Sequence, residues 1–175
     1  MGYRLLTILI GLMCLTSCNN DVPVVDVKNA KPVTKEVDLT NTNRMIAQEE
    51  GITIERFATN RGWKMEDIGS GIKLMKTAEG HGETAFYDDT VSIRYTVRNI
   101  EDKVVYADVE DTVVVGRLKP CRGLDFALRH LNEGCRATVI LPSEEAYGVP
   151  GDGDRIGKRW ILIYDLNVCE IKKLK

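Results

Sequence analysis

The chain has 175 residues, 43% of them hydrophobic and 29% charged, with a formal net charge of −2. That length suits one domain of ordinary size, and the composition is that of a globular chain and not a disordered one. No Lys/Arg block is longer than a pair, so nucleic acid is excluded as a partner, because phosphate binding needs a clustered basic surface. Two histidines, His81 and His130, exclude a multi-histidine metal centre, and no motif calls for a metal or a cofactor.

Met1–Arg4 carries one positive charge, Leu5–Leu15 is apolar throughout, and Thr16-Ser17-Cys18 follows. The apolar run is shorter than the ~20 residues that a membrane span needs. A basic start, a short apolar stretch and a small-residue exit describe a bacterial secretory signal. Leu15-Thr16-Ser17-Cys18 resembles the lipobox of bacterial lipoproteins, which implies cleavage after residue 17 and lipid on Cys18. An ordinary signal peptide that happens to contain a cysteine is the alternative. Two or three acyl chains suffice for stable anchoring. The expected location is the bacterial envelope, on the periplasmic side of the outer membrane.

Cleavage would leave 23 basic against 26 acidic residues, and three cysteines beyond Cys18: Cys121, Cys135 and Cys169. Three is odd, so at least one thiol stays unpaired. Apolar neighbours favour buried thiols over a disulfide.

Residues 18–43 hold Pro23 and Pro32, show no sustained periodicity and are expected to be a tether. Residues 44–62 look helical, with Gly51 splitting the helix or ending a first short one. From Trp63 the period changes to two, which predicts strand segments at Trp63–Met65 and Ile72–Leu74 around Gly69-Ser70-Gly71. Gly80-His81-Gly82-Glu83 marks a loop. Asp89–Arg98 alternates over ten residues, with Val91, Ile93, Tyr95 and Val97 on one face. Val104–Ala107 and Thr112–Val115 are two further short strands. Gly123–Gly134 carries an apolar stripe of Leu124, Ala127, Leu128 and Leu131 at helical spacing, with Gly134 as its stop. Arg136–Pro142 and Trp160–Cys169 are the last strands. The pattern predicts an α+β domain over residues 63–175, with an antiparallel sheet around one short amphipathic helix and an extra N-terminal helix.

One long segment is similar to a known family. Gly123-Leu124, Glu133-Gly134-Cys135-Arg136-Ala137, a strand ending in Pro142, Ala146-Tyr147-Gly148, Ile156-Gly157-Lys158 and Leu162-Ile163-Tyr164-Asp165-Leu166-Asn167-Val168 follow the C-terminal half of FKBP-type peptidyl-prolyl isomerases. Val91-Ser92-Ile93-Arg94-Tyr95-Thr96 resembles a strand of the same family. The resemblance implies a twisted sheet wrapped around one helix, with a proline pocket between them. It places Tyr95, Tyr106, Tyr147 and Tyr164 at catalytic pocket positions. There Tyr147 supplies the hydroxyl that holds the substrate carbonyl, while Tyr106 and Tyr164 take the places of wall phenylalanines. It places Cys121, Leu124 and Ile156 at substrate-binding positions, with Leu124 as the floor. The implied partners are proline-containing or unfolded segments, and the protein is expected to act as a monomer.

The chain departs from the pattern in four places. Tyr106 is followed by Ala107 where an aspartate is expected, and Asp108, one residue further, could substitute as a binding residue if the hairpin shifts. Asp111 replaces a wall aromatic. The family's Ile-Pro-Pro loop has become Ile156-Gly157-Lys158, and Gly151-Asp152-Gly153-Asp154 fills a stretch that is often apolar. This last run lacks the ligand spacing of a calcium loop and is expected to be a solvated turn. The departures imply a wetter pocket, with reduced catalysis or with peptide binding and no turnover.

Overall fold

The computed structural model describes residues 39–174; the leader, Cys18 and the tether as far as Asp38 lie outside them. The elements are α1 (Leu39–Asn60), β1 (Glu66–Gly69), β2 (Ile72–Ala78), β3 (His81–Thr84), β4 (Thr90–Asn99), β5 (Val104–Val114), α2 (Arg122–Leu128), β6 (Asn132–Glu133), β7 (Arg136–Leu141) and β8 (Leu162–Lys172). Six strands make one antiparallel sheet in the order β1-β2-β7-β8-β4-β5, and β3 pairs with β6 apart from it. The architecture is α+β.

Strand alternation decides which residues meet which helix. Val91, Ile93, Tyr95 and Val97 of β4, Val139 and Leu141 of β7, and Leu162, Tyr164, Leu166 and Val168 of β8 bury one face of the sheet. They share it with Leu124, Ala127, Leu128 and Leu131, the stripe that brings α2 against β2 and β7. The intervening residues Ile140 and Ile163 belong to a second cluster with Ile161 and with Ile54 and Phe57 of α1. The sheet therefore carries the short helix on one face and the C-terminal half of α1 on the other. Glu50 adds a polar tie: its carboxylate accepts hydrogen bonds from the Ser143 amide (2.8 Å) and the Ser143 hydroxyl (2.5 Å).

Several local expectations are corrected. α1 begins at Leu39 and runs unbroken through Gly51, so Leu39–Asn43 are helical and not tether. A glycine costs a helix roughly 1 kcal/mol relative to alanine, which the anchoring at Ile54, Phe57 and Glu50 outweighs. Trp63–Met65 precede the first strand, where Trp63 and Met65 cover the α1 cluster. His81–Glu83 are part of β3 and not a loop. α2 stops at Leu128, and Leu131 keeps its buried place from the turn that follows, while Gly134 (φ 77°) turns the chain between β6 and β7. The two short strands around Asp108 are one strand, β5, interrupted by a bulge. All three described cysteines are free; Cys121 and Cys135 are buried, whereas Cys169 is exposed.

Asp89 ties the chain entering β4 to the chain leaving β8. It is 4% exposed and accepts from the amides of Phe86 (2.8 Å) and Leu174 (3.0 Å), with the Lys173 ammonium 3.1 Å away. Burial pulls its carboxyl upward, but those two amides and Lys173 outweigh it and hold it below its ordinary value of 3.8. A depressed carboxyl contributes stability above its unfolded pKa and loses it as pH falls through the folded value. Asp89→Asn is therefore expected to cost about 1 kcal/mol at pH 7. Urea midpoints of variant and wild type should converge as pH falls below the ordinary carboxyl value of 3.8 and through the lower folded one, and a gap independent of pH would contradict this.

Candidate active site

The site is built on the sheet face that carries α2. Tyr95 lies mid-strand on β4, opposite Val109 of β5 and Leu166 of β8, and Tyr164 lies on β8 opposite Val97 and Val139. Their rings are tilted at 51° with centroids 5.4 Å apart, and Tyr164 is only 1% exposed. Leu124 is fully buried in the same cluster, together with Cys121 and Ile156. Tyr106 and Tyr147 are half-buried and pack against it. The structure thus brings together seven residues from β4, β5, β8, α2 and the loops on either side of Gly148. A cleft of about 460 Å³ between α1 and the Pro142–Glu145 turn contains none of them and is separate from this site.

The start of α2 fixes two of these residues and aligns a third. Cys121 is the N-cap, in extended backbone and with no side-chain cap. The second amide of the helix, Gly123, instead donates to the Glu145 carbonyl at 2.7 Å. Only glycine fits there, because a Cβ would lie 2.7 Å from Leu141 Cδ2 and 2.9 Å from that carbonyl. Arg122 grips the Glu145 carboxylate with two bonds of 2.8 Å, the fork geometry that guanidinium and carboxylate share. The helix start and the turn carrying Ala146-Tyr147 are thereby clamped together. Asp125, completely buried, accepts from the amides of Gly116 (2.7 Å) and Leu118 (3.3 Å) and so holds the chain that leads into Cys121.

Asp108 is placed elsewhere. Between the pairs Tyr95–Val109 and Val97–Tyr106, β5 has one residue more than β4, and this bulge turns Asp108 to φ 50°. An extra residue in a strand reverses the face that follows. The Asp108 amide donates to Thr96 Oγ1 (3.2 Å), and its carboxylate sits 3.6 Å from Arg94 with the side chain 76% exposed. The expectation that it enters the pocket is therefore corrected. The carboxylate that meets Tyr106 is Asp152, whose Oδ2 accepts a hydrogen bond from the phenol hydroxyl. Residues 151–154 are thus not only a solvated turn. The alternating Gly-Asp pattern marked that turn, but no local signal linked it to a strand 46 residues away.

The four phenols and the Cys121 thiol are held in their neutral forms. Burial, with a contribution from the Asp111 charge, pushes the Tyr95 phenol up to about 12. The hydrogen bond to Asp152 takes Tyr106 to about 12 as well. Burial raises Tyr147 and lifts Tyr164 well above 10, and the two hydroxyls affect one another. Burial also raises the Cys121 thiol, whose sulfur is 4.0 Å from the Tyr164 hydroxyl. At neutral pH the site offers neutral O–H donors and an inert thiol, with no thiolate nucleophile. These groups supply apolar surface and neutral O–H donors, and none of them offers covalent chemistry.

The family model for FKBP-type peptidyl-prolyl cis-trans isomerase matches residues 82–169, half of the chain. The chain belongs to that family. Among relatives of this FKBP-family chain is the probable FKBP-type peptidyl-prolyl cis-trans isomerase FkpA of Neisseria meningitidis serogroup B. It is 30% identical over 111 residues, which cover 61% of this chain and 40% of that protein. FK506-binding protein 3 of Dictyostelium discoideum is 29% identical over 115 residues, 61% of this chain and 59% of its own length. The macrophage infectivity potentiator of Trypanosoma cruzi is 29% identical over 109 residues, 60% and 55% of the two chains. The chain thus spans about half the length of these curated relatives. The solved peptidyl-prolyl cis-trans isomerase of Pseudomonas syringae pv. tomato superposes with a TM-score of 0.60 at 20% identity, over 74% of this chain and 96% of that one. The N-terminal domain of Arabidopsis thaliana FKBP42 superposes at 0.58 and 21%, over 63% and 93%. These likenesses establish an FKBP-like fold. In that fold, the matched segment contains all seven converging residues.

Proposed function

We propose that the protein is a peptidyl-prolyl cis-trans isomerase held in the bacterial envelope by lipid on Cys18. The observation that carries the reading is the convergence of four neutral phenols, Leu124, Cys121 and Ile156 on one sheet face. Rotation about the Xaa-Pro bond is opposed by amide resonance, a barrier of ~18–20 kcal/mol. A pocket lowers it by preferring the twisted amide, which is less polar than the planar, well-solvated one. Tyr95, Tyr164 and Leu124 would enclose the pyrrolidine ring and strip water from the amide. Tyr147, whose raised phenol keeps its proton, would hold the peptide carbonyl. Neither a nucleophile nor a proton relay enters this scheme.

Peptide binding without turnover is the second reading. Asp111 favours it, since a carboxylate whose charge is felt by Tyr95 and Tyr147 marks a wetter mouth than aromatic walls would give. A protease-coupled assay on a short Xaa-Pro peptide separates the two. The isomerase reading predicts acceleration of cis-to-trans conversion at about micromolar protein over a background of tens to hundreds of seconds. Binding with no acceleration would overturn it. Anchoring is tested on the mature N-terminus: mass spectrometry is expected to find an acylated Cys18, and an unmodified N-terminal peptide would refute it.

A further inference from the structure

We propose that Asp152 is a positioning residue of the proline pocket: its carboxylate, held by the Tyr106 hydroxyl, latches the 149–159 loop to β5 and so fixes the Ile156 wall. The proposal rests on the isomerase reading of the site and adds to it the device that shapes one wall.

The two oxygens of Asp152 face different partners. Oδ2 accepts from the Tyr106 hydroxyl, for which Asp154 Oδ2 at 3.3 Å is the only other acceptor nearby among the described residues. Oδ1 accepts from the amides of Asp154 (2.9 Å) and Ile156 (2.8 Å). One carboxylate thus joins the wall strand to the turn that delivers Ile156, which is 5% exposed. Charge-assisted bonds of this kind are about twice as strong as neutral ones. The loop closes tightly around the carboxylate. A Cβ on Gly151 (φ 69°) would lie 2.1 Å from the Ile156 carbonyl, and the Asp152 amide donates to that same carbonyl at 3.3 Å. The Arg155 guanidinium lies 5.2 Å above the Tyr106 ring, and at the neck the Arg159 amide donates to the Gly148 carbonyl at 2.8 Å.

Two departures of this chain from the family pattern account for each other on this view. Gly157-Lys158 stands where a rigid Pro-Pro pair is expected, so the backbone after Ile156 has lost a constraint. A tyrosine stands at a wall position where a phenylalanine is expected, and its hydroxyl supplies a constraint from across the pocket. Neither substitution alone would define the wall.

Hydrogen exchange on the full chain, read at single amides by NMR, tests the latch without reference to activity. Tyr106→Phe keeps the ring and removes the donor. It should speed exchange at the Ile156 and Asp154 amides about tenfold, with β4 amides unchanged. Wild-type exchange at Ile156 in this variant would overturn the proposal, because an isolated Asp152 turn would not sense Tyr106. In the isomerase assay, Tyr106→Phe and Asp152→Asn should each lower kcat/KM about fivefold, mainly through KM. The double variant should lose no more than either single one, since both remove the same charge-assisted bond. Additive losses would also overturn the latch. If exchange responds as stated while wild type shows no turnover, the latch stands and the isomerase reading falls.

Discussion

Leu124→Ala is expected to lower the unfolding free energy by about 3 kcal/mol, within the range for deleting a buried leucine side chain. Leu124 has no exposed surface and packs in the cluster that also holds the Tyr95–Tyr164 pair. Truncation removes transfer free energy and leaves a gap, because the surrounding side chains come from β4, β8 and α2 and cannot all move inward together. The urea midpoint, followed by the fluorescence of Trp160 beside the same cluster, measures the loss. Met45→Ala on α1, at a position 61% exposed, serves as the contrast and should shift stability by no more than about 0.5 kcal/mol. A Leu124→Ala loss below about 1 kcal/mol would mean that the cluster collapses freely around the gap and that α2 is not clamped as described.

Tyr147→Phe is expected to reduce kcat/KM about tenfold, the equivalent of ~1.4 kcal/mol of transition-state stabilisation. Stability should hardly change, since the half-buried ring remains. The hydroxyl alone is removed, and it is the donor assigned to the substrate carbonyl. Tyr164→Phe provides the comparison. Its hydroxyl lies deep in the cluster beside Cys121, so its removal should disturb packing more than turnover. Equal activity of Tyr147→Phe and wild type would remove Tyr147 from the mechanism.

The parts of this architecture that are legible in the sequence are those where one period runs long enough. β4 shows ten alternating residues and buries Val91, Ile93, Tyr95 and Val97 as the pattern requires. The stripe Leu124, Ala127, Leu128, Leu131 marks the helix face, although the last of these is supplied by a turn. β3 and β6 are too short to carry a period, and their pairing is settled by contact between distant segments. Gly51 misleads because tertiary packing further along α1 outweighs a local preference.

Within the site, the converging tyrosines follow from the family pattern, whereas the carboxylates do not. Asp108 is misplaced by one bulged residue, enough to send a side chain to the opposite face of the sheet. Asp152 is hidden for a different reason. Its importance lies in a bond to Tyr106 that exists only once β5 and the loop are folded against each other. The Glu145 clamp on Arg122 is of the same kind, because neighbouring Glu144-Glu145 look alike until burial distinguishes them.

Exchange spectroscopy on a short Xaa-Pro peptide, with wild-type protein at a small fraction of the peptide concentration, tests the proline pocket most directly. The free peptide interconverts over tens to hundreds of seconds and gives no cis–trans cross-peaks within a sub-second mixing time. The account predicts that wild type produces those cross-peaks and that Tyr147→Phe diminishes them. A peptide whose resonances shift on binding, yet which shows no cross-peaks with wild type, would contradict it.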